Sequence, residues 1–297
     1  MTSNVAPGNA STARWKVSGL MRERYSQFGV RVMPAAAARH AGRGRTCAMI
    51  ANSRRVLPLA AAAALLFGAA AATAAPLTVR PMRSPAGKIV YPRIVTGTSA
   101  AVRRAVNQLL ARQEKADRGQ RAECLDQIRA ARQKPEADSF SETIAVTYLS
   151  ARYLSIDVRQ SYFCATAYPT TDAPSPVTLD LEDGKALDWN AVFKAGFLPR
   201  DGATASATLV KLYRARYVAP PETDACKDFV ADDTSFDNGV DLWLDAAKGG
   251  LVVQPDFIHV GAACAVPMTF GPADLGAYAD PAFVGDLAAT VAAAKQK

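Results

Sequence analysis

The sequence predicts an α+β fold: a mainly antiparallel sheet with helices packed on it and two disulfides. Strand-like segments follow one another through short turns, as do those at 143–149 and 153–158, and this favours antiparallel pairing. Helix-like segments are grouped between such runs and do not alternate with single strands. Four cysteines follow residue 75, and this even number indicates two disulfides if the domain is exported.

The N-terminal quarter of the chain differs from the rest. Residues 49–74 begin with Met49 and two arginines, continue with an apolar run and end in small residues, the layout of a secretory signal peptide. An uncleaved membrane anchor is the alternative. Residues 1–48 are predicted to be an extension without a fold, which makes Met49 the natural start. Residues 75–297 are predicted to be a single periplasmic or secreted domain.

The positive charge of the chain is concentrated in this leader. Up to residue 75 there are ten basic residues and one acidic residue, a net charge of +9, so the remainder carries −1 of the whole-chain +8. A near-neutral domain has no general attraction for the phosphate backbone. The sequence therefore predicts no nucleic-acid partner. Once the signal peptide is cleaved, no membrane span is predicted either.

The cysteines after the leader are expected to form disulfides. Zinc sites use closer pairs such as C-x-x-C, and a catalytic cysteine needs a histidine partner, for which this region offers only His259. Four cysteines allow three connectivities, and the order of the elements favours pairing Cys124 with Cys164 and Cys226 with Cys264. Each bridge would close a loop of about 40 residues and contribute on the order of 4 kcal/mol.

The first elements follow from periodicity. A strand is expected at 88–95, where Pro92 indicates an edge or a bulge. After Ser99, an expected N-cap, apolar residues at i, i+4, i+7 and i+8 from Val102 predict an amphipathic helix. A second, short helix is expected at 123–132, before a polar loop.

The later elements come as hairpins and short helices. Strict alternation of apolar and polar residues at 153–158 predicts a half-buried strand, paired with the strand before it. The proline-rich segment 169–176 is expected to be a loop, and the next strand ends in the turn residues Asp183 and Gly184. The remaining predictions are a short helix capped by Asp188, helices at 205–217 and 223–230, a hairpin at 240–257, a strand at 264–270 and two final helices.

Several motifs occur in a specific order: "YPRI", a helix with Asn107, "YLSARYLSIDV", "CATAYP", "TLDLEDGKALDWNAVF" and "FIHVGAACAVPMTF". Together they resemble the RsiV-like domain of unknown function. That family includes the extracellular domain of a lysozyme-sensing anti-sigma factor and the non-catalytic domain of a secreted peptidoglycan deacetylase. Cys164 and Cys264 resemble those of a cysteine-bearing subgroup. Tyr168 stands where the family commonly has a histidine, and Thr166 replaces a glycine of the same turn. The resemblance implies an exported α+β module. It does not imply deacetylase activity, which belongs to a separate catalytic domain in that family.

Aromatic residues and carboxylates form the candidate binding site. Such groups side by side are common in saccharide or protein recognition. Core packing is the competing role for the tryptophan. The candidate residues are Tyr162, Tyr168, Trp189, Asp180 and Glu182.

The same carboxylates admit an enzymatic alternative. Asp180 and Glu182, near Asp183 and Asp188, would suit a carbohydrate hydrolase, which needs two carboxyl groups at a suitable separation. Strand alternation, turn chemistry and helix capping explain each of them separately, so we predict no catalytic residue. The acidic segment 224–233 is expected to be a solvated face, with weak calcium binding as the alternative. His259 is expected to be structural, with a ligand role as the alternative.

These observations predict an exported non-enzymatic binding module of the cell envelope. A lysozyme-like protein is the expected partner, because the resemblance is to a family with a lysozyme sensor and because acidic segments at 180–188 and 224–237 complement a basic protein. A peptidoglycan fragment is the other candidate. No metal or cofactor is predicted, since one histidine is too few for a metallohydrolase and no nucleotide-binding motif follows residue 75. An envelope carbohydrate hydrolase is the alternative function, and a purely structural envelope protein is the third.

Overall fold

The computed structural model describes residues 76–165, 169–198, 205–218 and 225–296, apart from the side chains at 259 and 260. These residues form the predicted α+β fold, with antiparallel sheets, packed helices and two disulfides. The signal-peptide prediction falls on residues 49–74, outside this part of the chain. No helix within the described ranges is long and apolar enough to cross a membrane.

The described ranges contain ten strands, six α-helices and two 3₁₀ turns. The strands are β1 (Thr78–Arg80), β2 (Arg93–Thr96), β3 (Phe140–Leu149), β4 (Tyr153–Tyr162), β5 (Thr170–Pro174), β6 (Val177–Asp180), β7 (Lys185–Ala186), β8 (Val240–Asp245), β9 (Gly250–Pro255) and β10 (Met268–Phe270). The helices are α1 (Ala100–Ala130), α2 (Trp189–Val192), α3 (Ala207–Arg216), α4 (Ala225–Ala231), α5 (Pro272–Leu275) and α6 (Pro281–Ala294), and the 3₁₀ turns are Asp233–Phe236 and His259–Cys264.

Strand β4 is the centre of the larger sheet. It pairs with β3 along one edge and with both β5 and β6 along the other, while β7 extends the sheet beyond β6. Its alternate residues Leu154, Ile156 and Val158 are fully buried and belong to one apolar cluster with Val106 and Leu110 of α1. The predicted alternation therefore orients β4 correctly, with α1 covering its apolar face.

The opposite face of β4 is also covered, so the expectation of a half-buried strand is wrong. Ser155 is fully buried. Its hydroxyl accepts a hydrogen bond from the Leu244 backbone N–H at 3.1 Å and bonds the Thr178 hydroxyl at 2.8 Å. The Thr147 hydroxyl donates to the Leu244 carbonyl at 2.7 Å. Strand β8 thus brings the second sheet, ordered β10-β9-β8, against β3 and β4.

Helix α1 replaces both the amphipathic helix predicted after Ser99 and the separate short helix predicted at 123–132. Ser99 caps it as expected, accepting from the Val102 backbone N–H at 3.2 Å. It continues through Gly119, which is exposed and has open space around it. A glycine at an exposed position weakens a helix but does not end it, because no side-chain contact with the core depends on that position.

Asn107 of α1 holds strand β2 in place. Its Oδ1 accepts from the Ile94 backbone N–H at 2.8 Å, and its Nδ2 donates to the Ile94 carbonyl at 3.0 Å. Strand β2 begins only after Pro92, which has no N–H to contribute to a ladder, so it is shorter than the strand predicted at 88–95. The side-chain amide thereby satisfies both backbone groups of one residue of this short strand.

The two predicted disulfides are present. Cys124 of α1 is bonded to Cys164, just beyond β4, and Cys226 of α4 is bonded to Cys264. Both predicted hairpins are also formed, β3 with β4 and β8 with β9. The segment expected to be a proline-rich loop contains strand β5, which pairs with the second half of β4.

Candidate functional site

The predicted carboxylates lie on one continuous turn. Asp180 ends β6, and its Oδ1 accepts from the Glu182 backbone N–H at 2.8 Å. Gly184 adopts a left-handed conformation (φ 75°), and a Cβ there would approach the Ala105 side chain to 3.0 Å. After β7, Asp188 caps α2 by accepting from the Asn190 backbone N–H at 2.9 Å. Asp183 likewise accepts from the Lys185 backbone N–H at 3.0 Å, so local hydrogen bonds fix the carboxylates of Asp180, Asp183 and Asp188.

A cleft of about 430 Å³ opens beside this turn, and we call it the acidic cleft. Buried Tyr153 of β4 and Phe283 of α6 contribute to its wall and contact each other edge to face, with ring centroids 5.6 Å apart. Four carboxylates face two cationic side chains there, which gives the lining a net charge of −2. The four are Asp180, Asp183, Asp188 and Asp280, and the two cations are Arg152 and Lys185.

Arg152 ties the two predicted binding carboxylates together. Its Nη2 lies 3.4 Å from Asp180 Oδ2 and 3.4 Å from Glu182 Oε2, and its guanidinium lies over the Tyr153 ring, 5.2 Å from the centroid. The Asp180 side chain is only 17% exposed, whereas that of Glu182 is 75% exposed. Asp180 therefore belongs to the wall of the cleft, and Glu182 lies on its outer rim.

Asp183 and Tyr153 line the cleft, and the pKa values of both depart from their ordinary values. Burial opposes ionisation of Asp183, but hydrogen bonds and the charge from Lys185, 3.0 Å away, hold the pKa of its carboxyl below the ordinary value. Burial raises the pKa of the Tyr153 phenol to about 12, although Arg152 opposes this rise. At neutral pH Asp183 is charged and Tyr153 is neutral.

Trp189 is half-buried and lies outside the lining of the acidic cleft, next to Asp188 in sequence and in contact with Phe283 of the cleft wall. Its ring stacks on Phe193 at 6.1 Å and meets Phe283 edge to face at 6.4 Å. It packs against the core cluster without being enclosed by it, so both roles weighed for it from the sequence apply in part. The part of the ring that the core leaves uncovered is available for contact with a partner.

Tyr162 lies at the other end of β4. Tyr153 is paired with Asp180, whereas Tyr162 is paired with Thr170, nine residues further along the strand. At 3.3 Å per residue this separation is about 30 Å. The structure therefore divides the predicted site residues between two places. Tyr168 lies outside the described residues and stays a prediction.

The Tyr162 end carries a small aromatic surface. Half-buried Tyr162 stacks on buried Phe140 with centroids 5.7 Å apart, and Phe163 next to it is 41% exposed. The bridge from Cys164 to α1 fixes this end of the strand to the helix. No carboxylate among those predicted from the sequence lies at this end.

A cluster of charged residues that sequence reasoning missed lies between the two sheets. The Arg159 guanidinium covers the buried Trp243 ring at 4.8 Å, and its Nη1 donates to the Gln254 amide oxygen at 2.8 Å. Its Nε donates to Asp157 Oδ1 at 2.9 Å. Burial raises the pKa of Asp241 to about 7, with Asp256 adding to the rise and Arg159 opposing it.

The sequence pattern indicates only part of this charged cluster. Alternation in "VDLWLD" places Asp241 and Trp243 on one face of β8, as the structure shows through their pairing with β9. The alternation does not indicate which strand covers that face of β8. Alternation in β4 likewise assigned Asp157 and Arg159 to solvent, because the docking of β8 on β4 has no local sequence signature.

Metal ligation has no support within the described ranges. No group of three or more His, Cys, Asp or Glu side chains there is arranged to hold a metal ion. In the acidic segment 224–233, Asp232 accepts from the Thr234 backbone N–H at 3.0 Å, and Asp233 is paired with Arg214 at 2.7 Å. The side chain of His259 lies outside the description.

No family model matches the chain, and no curated protein matches it. In structure the chain is similar to a member of the DUF3298 family from Bacteroides fragilis, solved as a crystal structure. The sequence identity is 12% and the TM-score 0.44, and the similarity covers 72% of this chain and 98% of that chain.

Proposed function

We propose that this chain is an exported, non-enzymatic binding module of the cell envelope and that the acidic cleft is its binding surface. The observation that carries the proposal is the charge of that cleft, four carboxylates against two cations. Turn and cap hydrogen bonds hold several of these carboxylates before any partner arrives. Pre-organised charge of one sign speeds association with a partner of the opposite sign.

Export is supported by the cysteines and by the predicted signal peptide. Disulfides persist in oxidising compartments and are rare in reducing ones, and this domain has two. The predicted signal at 49–74 gives a route to such a compartment. A periplasmic or secreted location is part of the proposal.

The proposed partner is a basic protein of the lysozyme class. A net charge of −2 in the cleft, with Glu182 adding a further carboxylate at the rim, complements a basic surface. The half-buried ring of Trp189 supplies an aromatic anchor beside these charges. The sequence motifs that resemble the RsiV-like family point to the same class, because that family includes a lysozyme-sensing domain.

The hydrolase alternative has weaker support. A glycosidase needs two carboxyl groups on either side of the scissile bond, separated by roughly 5 to 9.5 Å of open space. Asp180 and Glu182 instead share one partner, Arg152, and Asp180 also caps the turn. Their arrangement is explained by the local structure.

Calorimetry with a lysozyme and, separately, with soluble peptidoglycan fragments tests the proposal. The proposal predicts heat on mixing with lysozyme at low salt, and weaker binding at physiological salt because the charges are screened. Binding of the fragments alone would make the partner a saccharide. Release of reducing sugar from the fragments would favour the hydrolase, and no binding of either would refute the module.

The same titration separates the two ends of β4. If the acidic cleft binds lysozyme, Asp180→Asn should weaken binding while Tyr162→Ala, at the far end of β4, should not. The converse result would move the binding surface to the Tyr162 end. Asp180→Asn keeps an acceptor for the Glu182 N–H, so it removes the charge with little change to the turn.

A further inference from the structure

A second cavity, of about 410 Å³, lies against the C-terminal half of α1, and we call it the basic groove. One wall is the loop 87–90. The other is the helix face formed by Arg118, Arg121, Ala122 and Leu125, which are spaced i, i+3, i+4 and i+7 and therefore share one side of α1.

The basic groove is well separated from the acidic cleft. The turn that carries the cleft carboxylates touches α1 at Ala105, sixteen residues before Arg121. At 1.5 Å per residue the separation along the helix is about 24 Å. The two cavities therefore belong to different parts of the surface and carry charges of opposite sign.

The lining of the groove contains three cationic side chains and no carboxylate. The three are Lys88, Arg118 and Arg121. The Arg118 guanidinium donates to the Ile89 carbonyl through Nε at 3.1 Å and through Nη2 at 2.9 Å. Its Nη2 also pairs with Glu114 at 2.7 Å, outside the lining. These contacts fix the Arg118 side chain in the wall of the groove, and Glu114 partly neutralises its charge.

Arg121 is the least satisfied of the three cations. Its Nη1 donates to the Gly87 carbonyl at 3.3 Å, while its Nε is buried and has no acceptor among the described residues. None of the ion pairs within the described ranges involves Arg121 or Lys88. A buried donor without an acceptor costs stability, and an anion held by the same guanidinium would relieve that cost.

We propose that the basic groove binds a small anion, a carboxylate or phosphate group, whose apolar portion packs on Val90 and Leu125. Arginine presents paired N–H donors that match two oxygens of such a group. Lys88 is exposed on the loop and adds a further positive charge to the lining. This inference rests on the groove alone and holds whether or not the acidic cleft binds a lysozyme.

The test uses the exported protein with both disulfides formed, titrated with inorganic phosphate, acetate and hexanoate while backbone amide resonances are followed by NMR. Phosphate and hexanoate should shift resonances of loop 87–90 and of α1 around Arg121. Hexanoate should bind more tightly than acetate, because its chain reaches the apolar wall.

Three variants give the outcome. Arg121→Gln should weaken binding by about tenfold, the worth of a charge-assisted hydrogen bond, and Lys88→Gln, which removes an exposed side chain without a contact to lose, should weaken it about threefold. Arg104→Gln is the matched control, since it removes the same charge from an exposed position of α1, and it should leave binding within about twofold. Equal losses in all three variants, or no shifts near the groove with any probe, would overturn the proposal.

Discussion

Replacing Asp241 by asparagine should change how stability depends on pH. Asp241 is half-buried on β8, opposite Gln254 of β9, and burial together with Asp256 raises the pKa of its carboxyl from 3.8 to about 7. The folded state therefore holds this proton more tightly than the unfolded chain does. The contribution of the Asp241 carboxyl to the free energy of unfolding is therefore greatest below about pH 4. It falls as the pH rises towards 7 and is constant above that.

The magnitude follows from the pKa. Between pH 5 and the folded-state pKa there are two pKa units, each worth about 1.36 kcal/mol, so the loss is on the order of 3 kcal/mol. Asparagine does not titrate. The free energy of unfolding of Asp241→Asn, relative to the parent protein, should therefore rise by an amount on the order of 3 kcal/mol between pH 5 and pH 8.

Urea unfolding at pH 5 and pH 8, with both disulfides intact and fluorescence of the buried Trp243 as the signal, measures this difference. Asp237→Asn is the control, because Asp237 is exposed and close in sequence, and it should show the same pH dependence as the parent protein. Two neighbouring carboxyls, Asp157 and Asp256, also have raised pKa values through burial, but they titrate in both proteins. A parent-to-variant difference that is equal at both pH values would refute the reasoning.

Three further predictions concern stability. Asn107→Ala should lower the free energy of unfolding by about 1–3 kcal/mol, because the β2 backbone loses both side-chain partners; an unchanged urea midpoint would contradict this. Serine at both Cys226 and Cys264 should cost on the order of 4 kcal/mol, and a loss below about 1 kcal/mol in the same assay would argue against that contribution. Ser155→Ala should speed hydrogen exchange at the Leu244 amide, which loses its acceptor, and an unaltered exchange rate would show that the contact between the sheets does not depend on it.

Local patterns predicted most of the elements and both disulfides. Alternation placed Leu154 and Ile156 in the core, and the capping preferences of Ser99 and Asp188 gave the correct starts for α1 and α2. These features depend on neighbours in sequence. The same rules ended the first helix too early, because the exposed Gly119 is tolerated where packing on either side holds the helix.

The candidate site was harder to predict because it depends on long-range packing. The β6–β7 turn brings Asp180 and Trp189 to one end of the sheet, but the cleft forms only where α6 adds Phe283 to its wall, about a hundred residues later. Tyr162 lies near them in sequence but at the far end of β4. The basic groove likewise depends on loop 87–90 lying across α1 at Arg121, and no spacing in the sequence indicates that contact.

The rate at which a lysozyme associates with three versions of the protein tests the central claim most directly. The versions are the parent, Asp180→Asn in the acidic cleft and Asp228→Asn on α4, which removes the same charge from an exposed position away from the cleft lining. The account predicts that Asp180→Asn lowers the association rate at low salt by several-fold and that Asp228→Asn leaves it nearly unchanged. Equal rates for all three versions, or an equal loss in both variants, would contradict the assignment of binding to the cleft.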